Sequence, residues 1–242
     1  MTSTVAIMQP YLFPYLGYFQ LAAAVDEFWL LDTVQFIQQG WMNRNALWSN
    51  GRRTMFSIPV NKRPRLDLIS NKAYVPTASK DSIKLAKTMR QAYAKAANVE
   101  TAAQLVEDFA QHLENSPGPT DFTSATEFAL QRCFDVIGLT TPIKRISSLE
   151  LDQNLGGQDR IIAACQSTGA QNYVNMIGGR DLYDASRFAA TGLRLHFIEP
   201  TLPPYEQGHD GFEPGLSILD VIAHVSPKDI RKMLDAAQVT PA

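Results

Sequence analysis

The residue types that could do chemistry gather in a few short runs. Met8 to Phe19 reads Met-Gln-Pro-Tyr-Leu-Phe-Pro-Tyr-Leu-Gly-Tyr-Phe and follows the apolar run Val5-Ala6-Ile7, which is short enough for a buried strand. Pro10 and Pro14 fix φ on the way out, and Gly17 admits a close backbone approach. Gln9 stands where a parallel strand ends and ligands usually bind, so it could polarise an acyl or phosphoryl oxygen, with Tyr11, Tyr15 and Gly17 around the ligand. The alternative is a hydrophobic plug in which Tyr11, Phe13, Tyr15, Tyr18 and Phe19 pack the bottom of the fold.

Asp32 closes the next apolar run, Phe28 to Leu31, and is followed by Thr33-Val34-Gln35-Phe36. Its carboxylate is expected at the same sheet edge as Gln9, with Gln35 nearby. There it could orient an amine, bind a ribose hydroxyl or act as a base; an Asx turn is the other reading. Trp41, Asn43, Arg44 and Asn45 come next. Arg44 could grip a phosphate bidentately beside an amide and an indole, or form an ion pair at the mouth of a hairpin. No acidic residue lies between Asp32 and Asp67, whereas Arg44, Arg52, Arg53, Lys62, Arg63 and Arg65 all do, so Arg63 and Arg65 are expected to steer an anion. Gly178-Gly179, after a later strand, either presents backbone N–H groups to a phosphate or makes an ordinary turn. Ser217 is either a helix cap or a phosphate contact, and Asp220 is mainly structural.

These residues need a scaffold, and the pattern supplies one. Val5 to Met8, Leu16 to Ala24 and Phe28 to Leu31 read as strand, helix, strand, hence a parallel pair. Asn50-Gly51 between Asn45–Trp48 and Met55–Val60 is a hairpin signal, because both turn positions tolerate positive φ. From Ser79 the period becomes helical: Ile83, Ala86, Met89 and Tyr93 recur, Thr101 with Gln104 reads as a capping box, and a third helix over about 123–137 stops at Gly138. Alternation then resumes with strands at 143–147, 173–177 and 193–198 and helices at 159–167 and 185–190. A Pro- and Gly-rich connection over 199–215 precedes helices at 217–223 and 227–236, the second with Ser226 as cap and Pro227 at its first position. The expectation is one α/β domain over 1–242, with a Rossmann-like, mainly parallel sheet, a hairpin at its edge and a helical insertion at about 79–138.

Bulk properties narrow the class. The 242 residues are 45% hydrophobic and 19% charged with a net charge of −2, which gives no sign of a nucleic-acid or membrane surface. Cys133 and Cys165 sit in helical segments among apolar neighbours, as reduced packed thiols of a cytoplasmic protein would. The N-terminus lacks the charged start of a signal peptide, and no run approaches the roughly 18 apolar residues of a spanning helix. No metal-ligand spacing, P-loop lysine motif or GxSxG elbow is present, and His112, His196, His209 and His224 are scattered.

Taken together, Gln9-Pro10-Tyr11-Leu-Phe-Pro14-Tyr-Leu-Gly17-Tyr-Phe19, Asp32-Thr33-Val34-Gln35-Phe36, Trp41-Met-Asn43-Arg44-Asn45, Ile58-Pro59-Val60 and Leu216-Ser217-Ile-Leu-Asp220 resemble the WbqC-like family, in its order and over nearly the whole chain. Thr33 departs from the second aspartate that the family often has there. The family is associated with O-antigen and other surface-polysaccharide genes. The resemblance therefore implies a glycine-type acyl or aminoacyl transferase acting on the amine of a nucleotide-linked amino sugar. Its partners would be that sugar and an acyl donor, with a nucleic acid involved only if the donor is an aminoacyl-tRNA. Asp32 would orient or deprotonate the amine, and Arg44 with Asn45 would hold the diphosphate. A non-catalytic binder of the same ligand is the competing class. An ATP-dependent amide ligase is the third, because strand, aromatic turn, helix and strand also resemble the nucleotidylyl-transferase layout. That group carries a His-x-Gly-His turn, which is absent here.

Overall fold

The computed structural model describes residues 3–62 and 67–242, so Arg63 and Arg65 lie outside the described residues. In chain order the regular elements are β1 (Thr4–Met8), α1 (Leu16–Ala23), β2 (Glu27–Leu30), β3 (Arg44–Ser49), β4 (Arg52–Ser57), β5 (Ala73–Tyr74), α2 (Ala78–Ala92), α3 (Val99–Glu114), β6 (Thr120–Asp121), α4 (Phe122–Ile137), β7 (Ile143–Arg145), α5 (Gly157–Thr168), β8 (Asn172–Met176), α6 (Ala185–Ala189), β9 (Arg194–Glu199), α7 (Ile218–His224), α8 (Pro227–Leu234) and β10 (Gln238–Pro241). Six strands form the central sheet in the order β10-β9-β8-β1-β2-β7. All neighbours are parallel except β10, which returns antiparallel to β9.

A parallel sheet must be covered on both faces, and strand alternation shows how this one is. Ala6, Phe28, Leu30, Val174 and Ile198 point into the larger core, shared with α1, α3, α4, α7 and α8. Val5, Ile7, Trp29, Tyr173, Leu195 and Phe197 point into the other, shared with α5 and α6. Helix α1 is buried over most of its length, Gln20 included. That amide is satisfied: its nitrogen donates to the carbonyls of Thr201 and Met233 at 2.7 Å each, and its oxygen accepts from the Thr201 N–H at 3.1 Å. Among the described residues no helix is long and apolar enough to cross a membrane.

Several expectations shift. The hairpin β3–β4 does not extend the sheet edge; it forms its own two-stranded sheet. Its strands are drawn away by other partners, since the Ala46 carbonyl accepts from the Ser217 N–H at 2.9 Å and Arg53 donates to the carbonyls of Pro214 and Gly215 at 3.0 and 2.9 Å. The hairpin turn is as expected, with Asn50 and Gly51 at φ 54° and 71°. Thr101 and Gln104 lie inside α3, which begins at Val99, so they cap nothing. The strand expected to Ser147 stops at Arg145 and turns into a 3-10 helix, Ile146–Ser148. The exposed β10 carries no alternation that would have marked it.

All eight tyrosines in the chain have phenols held above their ordinary value of 10.0, burial being the largest cause; Tyr15 is pushed to about 12. Their contribution to stability is complete below pH 10, where unfolded chains also keep the phenol protons, and is lost as pH rises through the raised folded values. The urea midpoint is therefore expected to fall steeply from pH 10 to 12, and Tyr74→Phe to flatten that fall. A midpoint unchanged over the range contradicts the burial of these phenols.

Candidate active site

The parallel strands all end at one sheet edge, and the register aligns their exits. Met8 pairs with Leu30, which puts Gln9 beside Leu31 and next to Asp32. On the neighbouring strand Leu30 pairs with Arg145, so Asp32 faces the turn at Ile146–Ser148. Asp32 is 2% exposed. One carboxylate oxygen accepts from the Ser147 N–H at 2.9 Å and the other from the Ser147 hydroxyl at 2.5 Å. The carbonyl of Asp32 accepts from the Ser70 N–H at 2.9 Å. Ser147 itself is exposed and opens into a cleft of ≈ 320 Å³ that Thr33, Ser70, Asp152, Gln153 and Arg160 also line, over an apolar floor of Ile146, Leu149 and Leu151.

Arg160, in the first turn of α5, is held by oxygens without charge. Its guanidinium donates to the Thr33 carbonyl, to the Thr33 hydroxyl at 3.2 Å, to the Gln153 carbonyl at 3.0 Å and twice to the Leu155 carbonyl, at 2.7 and 2.9 Å. Among the described residues no carboxylate pairs with it, so its charge is oriented but not neutralised. These bonds use all five of its N–H groups, so what Arg160 brings to the cleft is a fixed positive charge rather than a free bidentate fork.

The aromatic turn is woven into two other segments. Phe13, buried and at φ 45°, turns its carbonyl to Asn45 Nδ2 at 2.9 Å and to Ser217 Oγ at 2.7 Å. Leu12 N–H donates to the Met42 carbonyl at 2.8 Å, and Ile218 N–H to the Pro14 carbonyl at 2.7 Å. The Ser217 hydroxyl also accepts from the Leu219 N–H at 3.3 Å, so it caps α7 while bonding Phe13. Tyr15 folds over Gly17 so closely that a Cβ there would stand 2.5 Å from its ring. The half-buried Gln9 accepts the Tyr11 hydroxyl on its side-chain oxygen at 3.2 Å, and its carbonyl accepts the Tyr18 hydroxyl at 3.0 Å.

The remaining expected residues lie apart in role. Arg44 donates to the carbonyls of Gly40, at 2.7 Å, and Gln39, and its guanidinium carbon lies 5.8 Å from the exposed ring of Trp41. Asn43 donates to the Ile58 carbonyl at 2.8 Å. Gln35 bridges Leu68 through the main chain. Gly178 is exposed at the start of the 3-10 helix Ile177–Leu182 that follows β8, and a Cβ on Gly179 would strike Asn175 Nδ2 at 2.7 Å. Sequence reasoning missed Ser147, read as the last residue of a strand, and Arg160, whose signal was its place just after Gly156-Gly157 at a helix start. It also missed the partners of Asp220. This fully buried carboxylate accepts from Tyr93 at 2.5 Å, Tyr205 at 2.6 Å and Gln207 Nε2 at 3.2 Å.

Comparison with known proteins gives one family and one relative of note. The model of the WbqC-like protein family matches residues 9–232. An uncharacterized protein, Rv1507c, of Mycobacterium tuberculosis (strain ATCC 25618 / H37Rv) is 27% identical over 224 residues, which cover 91% of this chain and 93% of that one. No solved structure matches the chain.

Asp220→Asn tests how far the carboxylate network organises α7. The amide nitrogen would meet a tyrosine hydroxyl that now donates, so near-identical shape should still cost about 2 to 3 kcal/mol in urea unfolding. A loss below about 0.5 kcal/mol contradicts a network held by donors.

Proposed function

Because the chain belongs to the WbqC-like protein family, we propose that it works in surface-polysaccharide biosynthesis, transferring an acyl group of the glycine type to the amine of a nucleotide-linked amino sugar. The observation that carries the reading is the Asp32–Ser147 pair facing Arg160 across a cleft at the carboxyl edge of the sheet. The strand order β7-β2-β1-β8-β9-β10 supports a Rossmann-like reading, in which the topological switch falls between β1 and β8. Gln9 leaves one side of that switch, and Ile177-Gly178-Gly179 leaves the other, where exposed backbone suits a phosphate.

In this reading the amine attacks the acyl carbonyl, a C–N bond forms, and the donor's leaving group departs with the bonding electrons. A protonated amine cannot attack, so its proton passes to the Ser147 hydroxyl while the hydroxyl proton passes to Asp32. Gln9, its oxygen held by Tyr11, donates from its NH2 to the acyl oxygen. The amide of Asn45 and two nitrogens of Arg44 are spent on backbone carbonyls. Arg160 has likewise given its N–H groups to uncharged oxygens, but of the two arginines it alone lines the cleft with Ser147, so the anion of the substrate is assigned to it through charge. The binding-module reading keeps one observation in its favour, since Ser147 takes both oxygens of Asp32 and such a pair is stable without any turnover.

The assay incubates the protein with nucleotide-linked amino sugars and, in separate arms, glycyl-tRNA, a glycyl thioester, or glycine with ATP, and reads acylated sugar by mass spectrometry. Product is expected in one arm, reduced about 10²- to 10⁴-fold by Ser147→Ala or Asp32→Asn with sugar affinity kept. Arg160→Lys should instead raise KM. Affinity without product in any arm supports the binding module, and product undiminished in both variants removes the cleft from the chemistry.

A further inference from the structure

A second cleft, of ≈ 460 Å³, is built from elements the proposed reaction does not use: Trp48 on β3, Gln91 and Lys95 at and beyond the end of α2, Glu206 and Gly208 in the long connection, and His224 at the end of α7. Its chemistry starts from Asp220. Tyr93 and Tyr205 flank that carboxylate as donors, because burial and the neighbouring charge hold both phenols far above their ordinary range. One turn on, His224 Nδ1 lies 2.9 Å from the Asp220 carbonyl oxygen and 3.8 Å from a carboxylate oxygen. A carbonyl only accepts, so Nδ1 carries a proton, and in the neutral imidazole Nε2 is then the acceptor, through its lone pair.

That lone pair has no donor among the described residues, although the side chain is only 7% exposed. It lies at the wall of the cleft beside Gly208, on which a Cβ would stand 3.8 Å from Nε2. An acceptor that no described residue uses and that the cleft leaves open is available to a hydroxyl donor on a ligand. The walls narrow its class. Trp48 supplies an indole, held by stacking on His209 at 4.0 Å; Gln91 supplies an exposed amide; Lys95 and Glu206 are exposed and opposite in sign. An aromatic plate beside amide and imidazole groups, with no net charge at the rim, suits a neutral ring bearing hydroxyls above an apolar face.

We propose that this cleft is a second ligand site, which takes a neutral saccharide ring, with a sugar hydroxyl donating to His224 Nε2 and the ring lying against Trp48. The inference stands independently of the acyl-transfer reading.

Saturation-transfer NMR with cellobiose, maltose and chitobiose tests it on the whole protein. At least one sugar is expected to bind saturably. His224→Asn, whose amide can keep the bond to the Asp220 carbonyl but offers nothing at the Nε2 position, should weaken it tenfold or more. Gln91→Ala, at an exposed position that cannot unfold the chain, should weaken it severalfold with the melting temperature unchanged. Absence of saturable binding to all three sugars overturns the proposal, and so does binding that neither substitution weakens.

Discussion

The carbonyl of Phe13 is the point on which three distant parts of the chain converge. Phe13 holds φ 45°, a left-handed conformation that costs a non-glycine residue about 1 to 2 kcal/mol. What over-determines it is the pair of donors on its oxygen, Asn45 from β3 and Ser217 from the start of α7, each contributing on the order of 1 kcal/mol. Burial of the ring against Phe109 at 5.8 Å adds to this. Through that oxygen the exit of β1 is tied to the hairpin and to the cap of α7. Gln9 on one side and Asp220 with His224 on the other inherit their positions from it.

This arrangement separates residues that look alike in sequence. Asn45, Ser217 and Asp220 have the polarity of ligand-binding groups, but their side chains are absorbed by the fold. Arg53 is likewise committed, to Glu213 and to two carbonyls of the segment before α7. Arg160 differs, because its partners orient the guanidinium without cancelling its charge. Arg44 too is held by uncharged carbonyls, so position separates the two: only Arg160 lines the cleft beside Ser147.

The alternation of strands and helices was legible because it rests on local signals. Apolar runs of strand length, helical spacing from Ile83 to Tyr93, glycines at Gly138 and Gly169 in left-handed caps, and Asn50-Gly51 all act within a few residues of themselves. The mostly parallel sheet followed from that order. The placement of the hairpin did not, because it depends on bonds to residues about 160 positions away. The same limit explains the site. Asp32 at a strand end was readable, but its partner Ser147 lies 115 residues on, and Tyr93 meets Asp220 across 127. Residue types announce what chemistry is available; pairing across such separations is settled only when the sheet brings its edges together.

The claim that one carbonyl joins β1, the hairpin and α7 is tested most directly by a double-mutant cycle on Asn45→Ala and Ser217→Ala, followed by urea unfolding. Two donors sharing one acceptor at a strained residue should be coupled, with an interaction energy of about 0.5 kcal/mol or more, and Phe13→Gly should shrink that coupling by removing the strain they hold. Strictly additive losses, unchanged in the Phe13→Gly background, would contradict it.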